Sequence, residues 1–201
     1  MKGTRAIASL AALSLAAAGL TAAVTGCGGG QSSHRSGSDP RTSGAFAWLR
    51  PAPPPAGWKV ARLAGGAAFA YPPGWRPIKT DPGTATEVLL DGRGRIDGYL
   101  NSTPKQGSET AANWRRFRPE HNRGEGDMSE RVVASSTALN FRSGSGSCVI
   151  DDYKTSTARY REIACLVSSP SSSAVMVAAA PKALWNRRAA TLERAVSSFS
   201  P

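Results

Sequence analysis

The stretch CVIDDYKTSTARYREIAC, residues 148–165, carries the reading of the fold. Turned into a hairpin at Ser156-Thr157, it sets CVIDDYK against RYREIAC. Cys148 then faces Cys165, Ile150 faces Ile163 and Asp152 faces Arg161. The period of two puts these pairs on one face, and Tyr153 meets Tyr160 on the other. One register thus gives a disulfide-ready pair, an aliphatic pair, an ion pair and an aromatic pair. Directly opposed cysteines in a non-hydrogen-bonded pair lie within disulfide reach. A Cys148–Cys165 bond is therefore expected, with two buried free thiols as the other reading. The cost of the register is Asp151 against Glu162, like charges that are tolerable at an exposed position. Ser-Thr is not a favoured two-residue turn, but a longer loop over residues 155–158 keeps the same pairing.

Upstream, WKVARL (58–63) alternates as a strand, and AAFAY (67–71) gives a second strand that runs into Pro72-Pro73-Gly74-Trp75. TEVLL (86–90) and RIDGYLNS (95–102) follow, separated by the turn residues Asp91, Gly92 and Gly94. Ser108 can cap a helix with Glu109 in its first turn. Ala111, Trp114 and Phe117 form its inward stripe, Arg115, Arg116 and Arg118 mostly face out, and Pro119 ends or kinks it. A polar loop (120–127) leads to SERVVASSTALNF, one long strand or two, broken by Gly144 and Gly146. Downstream of the hairpin, AVMVAAA (174–180) reads as a buried strand, and Pro181 opens a last helix. Trp185, Ala189, Leu192, Val196 and Phe199 give that helix one apolar face. Strands, helix, strands, helix point to an antiparallel sheet with helices packed on it, an α+β domain over residues 57–201.

The N-terminal region is of another kind. MKGTR, charged at Lys2 and Arg5, leads into AIASLAALSLAAAGL (6–20) and then Val24-Thr25-Gly26-Cys27. A positive start, an apolar middle and small residues before the exit make a secretory signal segment over residues 1–26. The last four residues resemble the bacterial lipobox, which implies that Cys27 takes a diacylglycerol, with palmitate-type chains, and becomes the new N-terminus. The other reading is an ordinary cleaved signal that leaves Cys27 a stray thiol, a liability in an oxidising compartment. Residues 27–56, rich in Gly, Ser and Pro, read as a tether, flexible first and stiffer at Pro53-Pro54-Pro55. Phe46, Trp48 and Leu49 interrupt it; they read as an element that docks on the domain, with the membrane surface as the other berth.

Three stretches resemble the PsbP-like family: Phe69-Ala70-Tyr71-Pro72-Pro73-Gly74-Trp75, the run YREIACLV (160–167), and the close over residues 175–199 with Pro181, Trp185 and the final Ser-Phe. The resemblance implies a three-layer α/β/α sandwich about an antiparallel sheet. Its members include photosystem II extrinsic subunits, a Ran-binding nuclear import factor and actinobacterial lipoproteins. It brings no catalytic residues with it.

The formal charge of +11 falls to +9 once Lys2 and Arg5 are removed with the signal segment. An exported basic chain meets anionic lipid headgroups and wall polymers, and the export signal argues against nucleic acid as a partner. The segment WRRFRPEHNR (114–123) sets basic residues beside aromatics. Arg115, Arg116, Arg118 and Arg123 are the candidate binding residues for an anionic partner; the bland alternative is a solvated helix face. Of the two histidines, His34 lies in the tether and His121 follows the Arg-rich helix. With the cysteines paired, no zinc set remains, and no metal or cofactor is expected. G-x-S-x-G is absent, and GRGRIDG (92–98) suits a turn better than a dinucleotide loop. Asn101-Ser102-Thr103 matches a glycosylation sequon that a bacterial lipoprotein would rarely use. The expectation is a non-enzymatic protein, lipid-anchored on the extracytoplasmic face of the cell membrane, that binds an envelope protein or an anionic polymer. The alternatives are an envelope hydrolase with an unrecognised site and a structural accessory subunit.

Overall fold

The computed structural model describes residues 44–201. The signal segment, Cys27 and His34 lie outside the described residues. Strands β1 (Lys59–Arg62) and β2 (Ala68–Tyr71) pair with each other. The main sheet takes β3 (Arg76–Pro77), β4 (Ala85–Leu90), β5 (Ile96–Pro104), β6 (Met128–Phe141), β7 (Gly144–Lys154), β8 (Arg159–Ser168) and β9 (Ser173–Pro181). Its order is β3-β4-β5-β9-β8-β7-β6, antiparallel throughout. Helix α1 (Trp114–Gly124) lies between β5 and β6 in sequence, and α2 (Trp185–Ser197) follows β9 after a short 3₁₀ turn. The domain is α+β, as its pattern of strands and helices requires.

The β7–β8 hairpin adopts the expected register: Cys148 opposes Cys165, Ile150 Ile163, Asp152 Arg161 and Tyr153 Tyr160. Thr155 N–H donates to the Ala158 carbonyl at 2.9 Å, so the loop is the longer one over residues 155–158. The Thr155 hydroxyl oxygen takes the N–H groups of Thr157 and Ala158, which satisfies the turn locally. The disulfide is formed, with Cα atoms 4.1 Å apart.

Alternation along the strands divides the core in two. On one face, Cys148, Ile150, Ile163, Cys165, Met176 and Leu100 pack under Leu192, Val196 and Phe199 of α2 and under Phe69 of β2. On the other, Val149, Ala164, Leu166, Val175 and Val177 pack under Trp114 of α1. Phe46 is 4% exposed within the first of these cores, with Trp48 and Leu49 against it. The Ala52 N–H donates to the Ser197 carbonyl, so chain assigned to the tether packs on the domain, and docking is the berth taken.

Three expectations change. Helix α1 starts at Trp114, not at Ser108. Ahead of it, Thr110 and Asn113 close a turn on each other: the Asn113 side-chain oxygen accepts the Thr110 N–H at 2.7 Å, and the Thr110 hydroxyl accepts the Asn113 N–H. The helix then runs through Pro119 to Gly124, taking in what reads as loop. Proline forfeits one intrahelical bond, but Arg118 and Asn122, one turn apart on either side of it, both bind Glu162 and hold the helix down. Gly144 and Gly146 do not break a strand; they lie in β7, after a turn at Arg142-Ser143. A Cβ on Gly144 would run into the Ser168 carbonyl, and one on Gly146 into the Leu166 carbonyl. Strand β6 is instead interrupted by its own register shifts, between Val132 and Ala134 and between Ser136 and Leu139, with Ala138 at φ 55°. Bulges on an edge strand discourage pairing with another chain.

Candidate functional site

The face of the hairpin that looks at α1 carries Asp151 and Glu162 directly opposite each other. They are not exposed, as the register had seemed to demand: both are 0% exposed. Helix α1 supplies the missing cation. Arg118 Nε donates to Glu162 Oε1 at 2.7 Å, Nη2 donates to Oε2 at 2.8 Å, and Asn122 Nδ2 adds a third bond at 3.3 Å. A bidentate guanidinium–carboxylate pair is among the stronger polar contacts a protein makes, and it fixes orientation as well. Arg118 therefore faces in, its side chain 13% exposed, and does not belong to the outward basic surface.

Burial alone would raise Glu162, but Arg118 and the hydrogen bonds around it outweigh that, so its carboxyl lies below the usual range. Asp151 goes the other way: burial first, then the Glu162 charge, push it up to about 9. Neither Asp151 oxygen receives a hydrogen bond from a donor. A proton on Asp151 resolves that shortage, since the protonated acid donates to Glu162. The cluster is thus one shared proton and one guanidinium holding two carboxylates beneath α1.

Around it lies a second layer. The Trp114 indole N–H donates to the Ala164 carbonyl at 2.8 Å, which pins the start of α1 to the sheet. Phe117 stacks between Trp114 and His121, with centroids 6.0 Å apart on each side. Tyr153 stacks on Tyr160 at 5.6 Å. Beside α1, an open cleft of about 700 Å³ is lined by Tyr99, Val175 and Val177 of the sheet, Phe117 and His121 of α1, and the tip of the β7–β8 hairpin. Arg115, Arg116 and Arg123 are exposed on the opposite side of the helix, and Arg116 forms a loose ion pair with Glu120 at 3.8 Å.

On the other face of the sheet, Asp152 accepts from Arg161 at 2.7 Å and from Lys182 at 2.9 Å. The Arg161 guanidinium also lies over the Trp185 ring, 5.8 Å from its centroid. These contacts lock the hairpin to the start of α2. Among the described residues no group of three His, Cys, Asp or Glu side chains is placed to hold a metal ion, and no helix is long and apolar enough to cross a membrane.

No protein-family model matches this chain, and no curated protein matches it in sequence. Solved structures do match. The solution structure of cyanobacterial PsbP (CyanoP) from Synechocystis sp. PCC 6803 aligns with 72% of this chain and 92% of its own, at 16% identity and a TM-score of 0.54. The fold is PsbP-like. Looser likeness extends to the Saccharomyces cerevisiae Ran-binding protein Mog1p (13% identity, 70% of this chain and 86% of that one, TM-score 0.43). It extends also to LpqN, involved in cell envelope biogenesis of Mycobacterium tuberculosis (12%, 72% and 92%, TM-score 0.39). On this PsbP-like frame, the run 69–75 forms β2 and the turn after it. Gly74 there takes φ 89°, a left-handed conformation that glycine adopts without strain. The turn delivers Trp75 onto Gly98 of β5, where a Cβ would come within 2.6 Å of the indole.

Residue by residue, Cys148 and Cys165 are joined, and Arg115, Arg116 and Arg123 share one exposed helix surface. His121 belongs to α1 and to the cleft, not to a loop. The buried Arg118–Glu162–Asp151 cluster and the cleft were missed. A signal for the first was present: an acidic pair on an otherwise well-matched hairpin calls for a cation from another element.

Proposed function

We propose that this chain is a lipid-anchored, extracytoplasmic binding protein of the cell envelope, and that its three-layer PsbP-like domain holds an anionic envelope component, or a protein face of like charge, on the outer surface of α1. One observation carries the reading: Arg115, Arg116 and Arg123 stand exposed along one helix, while Arg118 is turned inward and spent on Glu162. The helix is held rigidly by Trp114, Arg118 and Asn122, so the three guanidinium groups are presented at little entropic cost. Guanidinium groups suit phosphate and carboxylate partners in particular.

The hydrolase alternative needs a nucleophile hydrogen-bonded to a base. His121 is the base on offer, and the contact it makes here is a ring stack on Phe117. That favours binding over catalysis.

Two experiments test the proposal. Metabolic labelling with a lipid probe is expected to vanish in Cys27→Ala; labelling that persists contradicts the anchor. Partners crosslinked in intact cells are expected to be lost when Arg115, Arg116 and Arg123 are all replaced by alanine, and a capture profile identical to the parent contradicts the surface.

A further inference from the structure

The inner side of α1 has a character opposite to its outer side. The cleft beside it carries Asp81, Glu109, Glu125 and Asp127 along its lining, besides Glu162. The one arginine that lines it, Arg118, is already engaged by Glu162. A chain of formal charge +11 has thus collected carboxylates, with no free guanidinium among the lining side chains, in one concave site.

Further observations bear on what would fill it. Glu109 is 4% exposed and its Oε2 has no hydrogen-bond partner, while Oε1 accepts the Gln106 N–H; burial would raise its carboxyl, but backbone N–H groups and the Lys105 charge hold it below the usual range. The acidic end near Asp127 adjoins the C-terminus of α1, where the helix carbonyls add partial negative charge. The walls there are aromatic: Tyr153 stacked on Tyr160, with Phe117 stacked under His121. Burial first and then the Glu162 charge raise Asp127 against the opposing pull of Arg118, and burial and then the Asp127 charge raise Tyr160.

We infer that this cleft is a second binding site, separate from the basic outer surface, and that it takes a small organic cation: an ammonium or guanidinium head seated by Asp127 between the tyrosine and Phe117 walls, with its apolar body along Tyr99, Val175 and Val177. Aromatic faces and carboxylates together are what recognise such a head. A volume of about 700 Å³ is that of a small-molecule site. Val175 and Val177 give the body an apolar floor that a bare metal ion would not use.

The test is calorimetric titration of the whole chain, purified in neutral detergent, with choline, hexyltrimethylammonium and butylguanidinium. The uncharged isostere 3,3-dimethylbutan-1-ol is the control for choline. Saturable binding of at least one cation is expected, with the isostere at least tenfold weaker than choline wherever choline binds. Asp127→Asn is expected to weaken the bound cation roughly tenfold with its melting temperature unchanged, and Tyr160→Leu to weaken it as well. The Arg115, Arg116, Arg123 triple alanine variant is expected to bind the cations as the parent does, so this site and the proposed outer surface fail independently. Equal binding of choline and its isostere, or saturation by none of the three cations, overturns the inference. So does binding confined to a lysine-rich peptide, or a cation affinity indifferent to Asp127→Asn.

Discussion

Asp151 is the residue whose chemistry differs most from its type. A carboxyl raised in the folded state stabilises the fold while protonated. Its contribution is full below the unfolded value, near 4, and is lost as pH rises through the folded value of about 9. Glu162 and Asp152 are depressed in the folded state, in each case because cationic partners outweigh burial. Their contribution is present above the unfolded value and lost as pH falls. Stability should therefore fall on both sides of a mid-range maximum, with Asp151 responsible for the fall from neutral pH to about pH 9 and the raised tyrosines Tyr71, Tyr99, Tyr153 and Tyr160 adding to it only from about pH 10 upward. Asp151→Asn keeps a donor toward Glu162 and has nothing to ionise. Thermal unfolding between pH 6 and pH 9, below the range where the tyrosines titrate, followed by circular dichroism, is expected to show a melting temperature that falls in the parent and stays level in the variant. Parallel slopes in the two proteins would remove Asp151 from the explanation. The same residue marks where sequence reasoning stopped short. Pairing fixes its opposite number, Glu162, but not its burial, because the buried partner Arg118 comes from a helix whose apolar spacing marks only Ala111, Trp114 and Phe117 as inward.

At the scale of elements, the hairpin was fully legible because four independent side-chain pairs agreed on one register, and a slip of one residue would have broken all of them. Its staple is open to a direct test. A disulfide closing a loop of this size contributes about 3 kcal/mol, which for a domain of this length is roughly 6–12 °C in melting temperature. The double variant Cys148→Ala, Cys165→Ala should lose about that much, and intact mass under non-reducing conditions should show the two thiols joined in the parent. Helix α1 was less legible. Proline normally ends a helix, and only tertiary anchors on both sides of Pro119 carry it through, a fact with no local signature. Gly98, inside RIDGYLNS, carries no local sign that it makes room for Trp75. Gly98→Ala puts a methyl into the indole and should cost about 1–3 kcal/mol, read as a lower urea midpoint with unchanged slope. A midpoint equal to the parent's would mean that the ring moves aside freely.

At the scale of the whole molecule, charge is segregated. The formal excess of positive charge stands partly on the outer face of α1, while a cleft beside the same helix gathers carboxylates. Composition alone gave the excess but not its division, because the division depends on which face of α1 meets the sheet. The PsbP-like fold sets that geometry without naming a ligand, since one fold carries many functions. The central claim is that the outer arginines hold an anionic envelope surface, and co-sedimentation tests it most directly. The chain from residue 28 onward, free of any lipid, is mixed with phosphatidylglycerol-containing vesicles or with neutral ones. Binding is expected to the anionic vesicles alone and to weaken with salt. It should drop on the order of a hundredfold in the Arg115, Arg116, Arg123 triple alanine variant, at roughly 1 kcal/mol for each basic residue near the surface. Sedimentation equal on neutral and anionic vesicles, or unchanged in the triple variant, would contradict it.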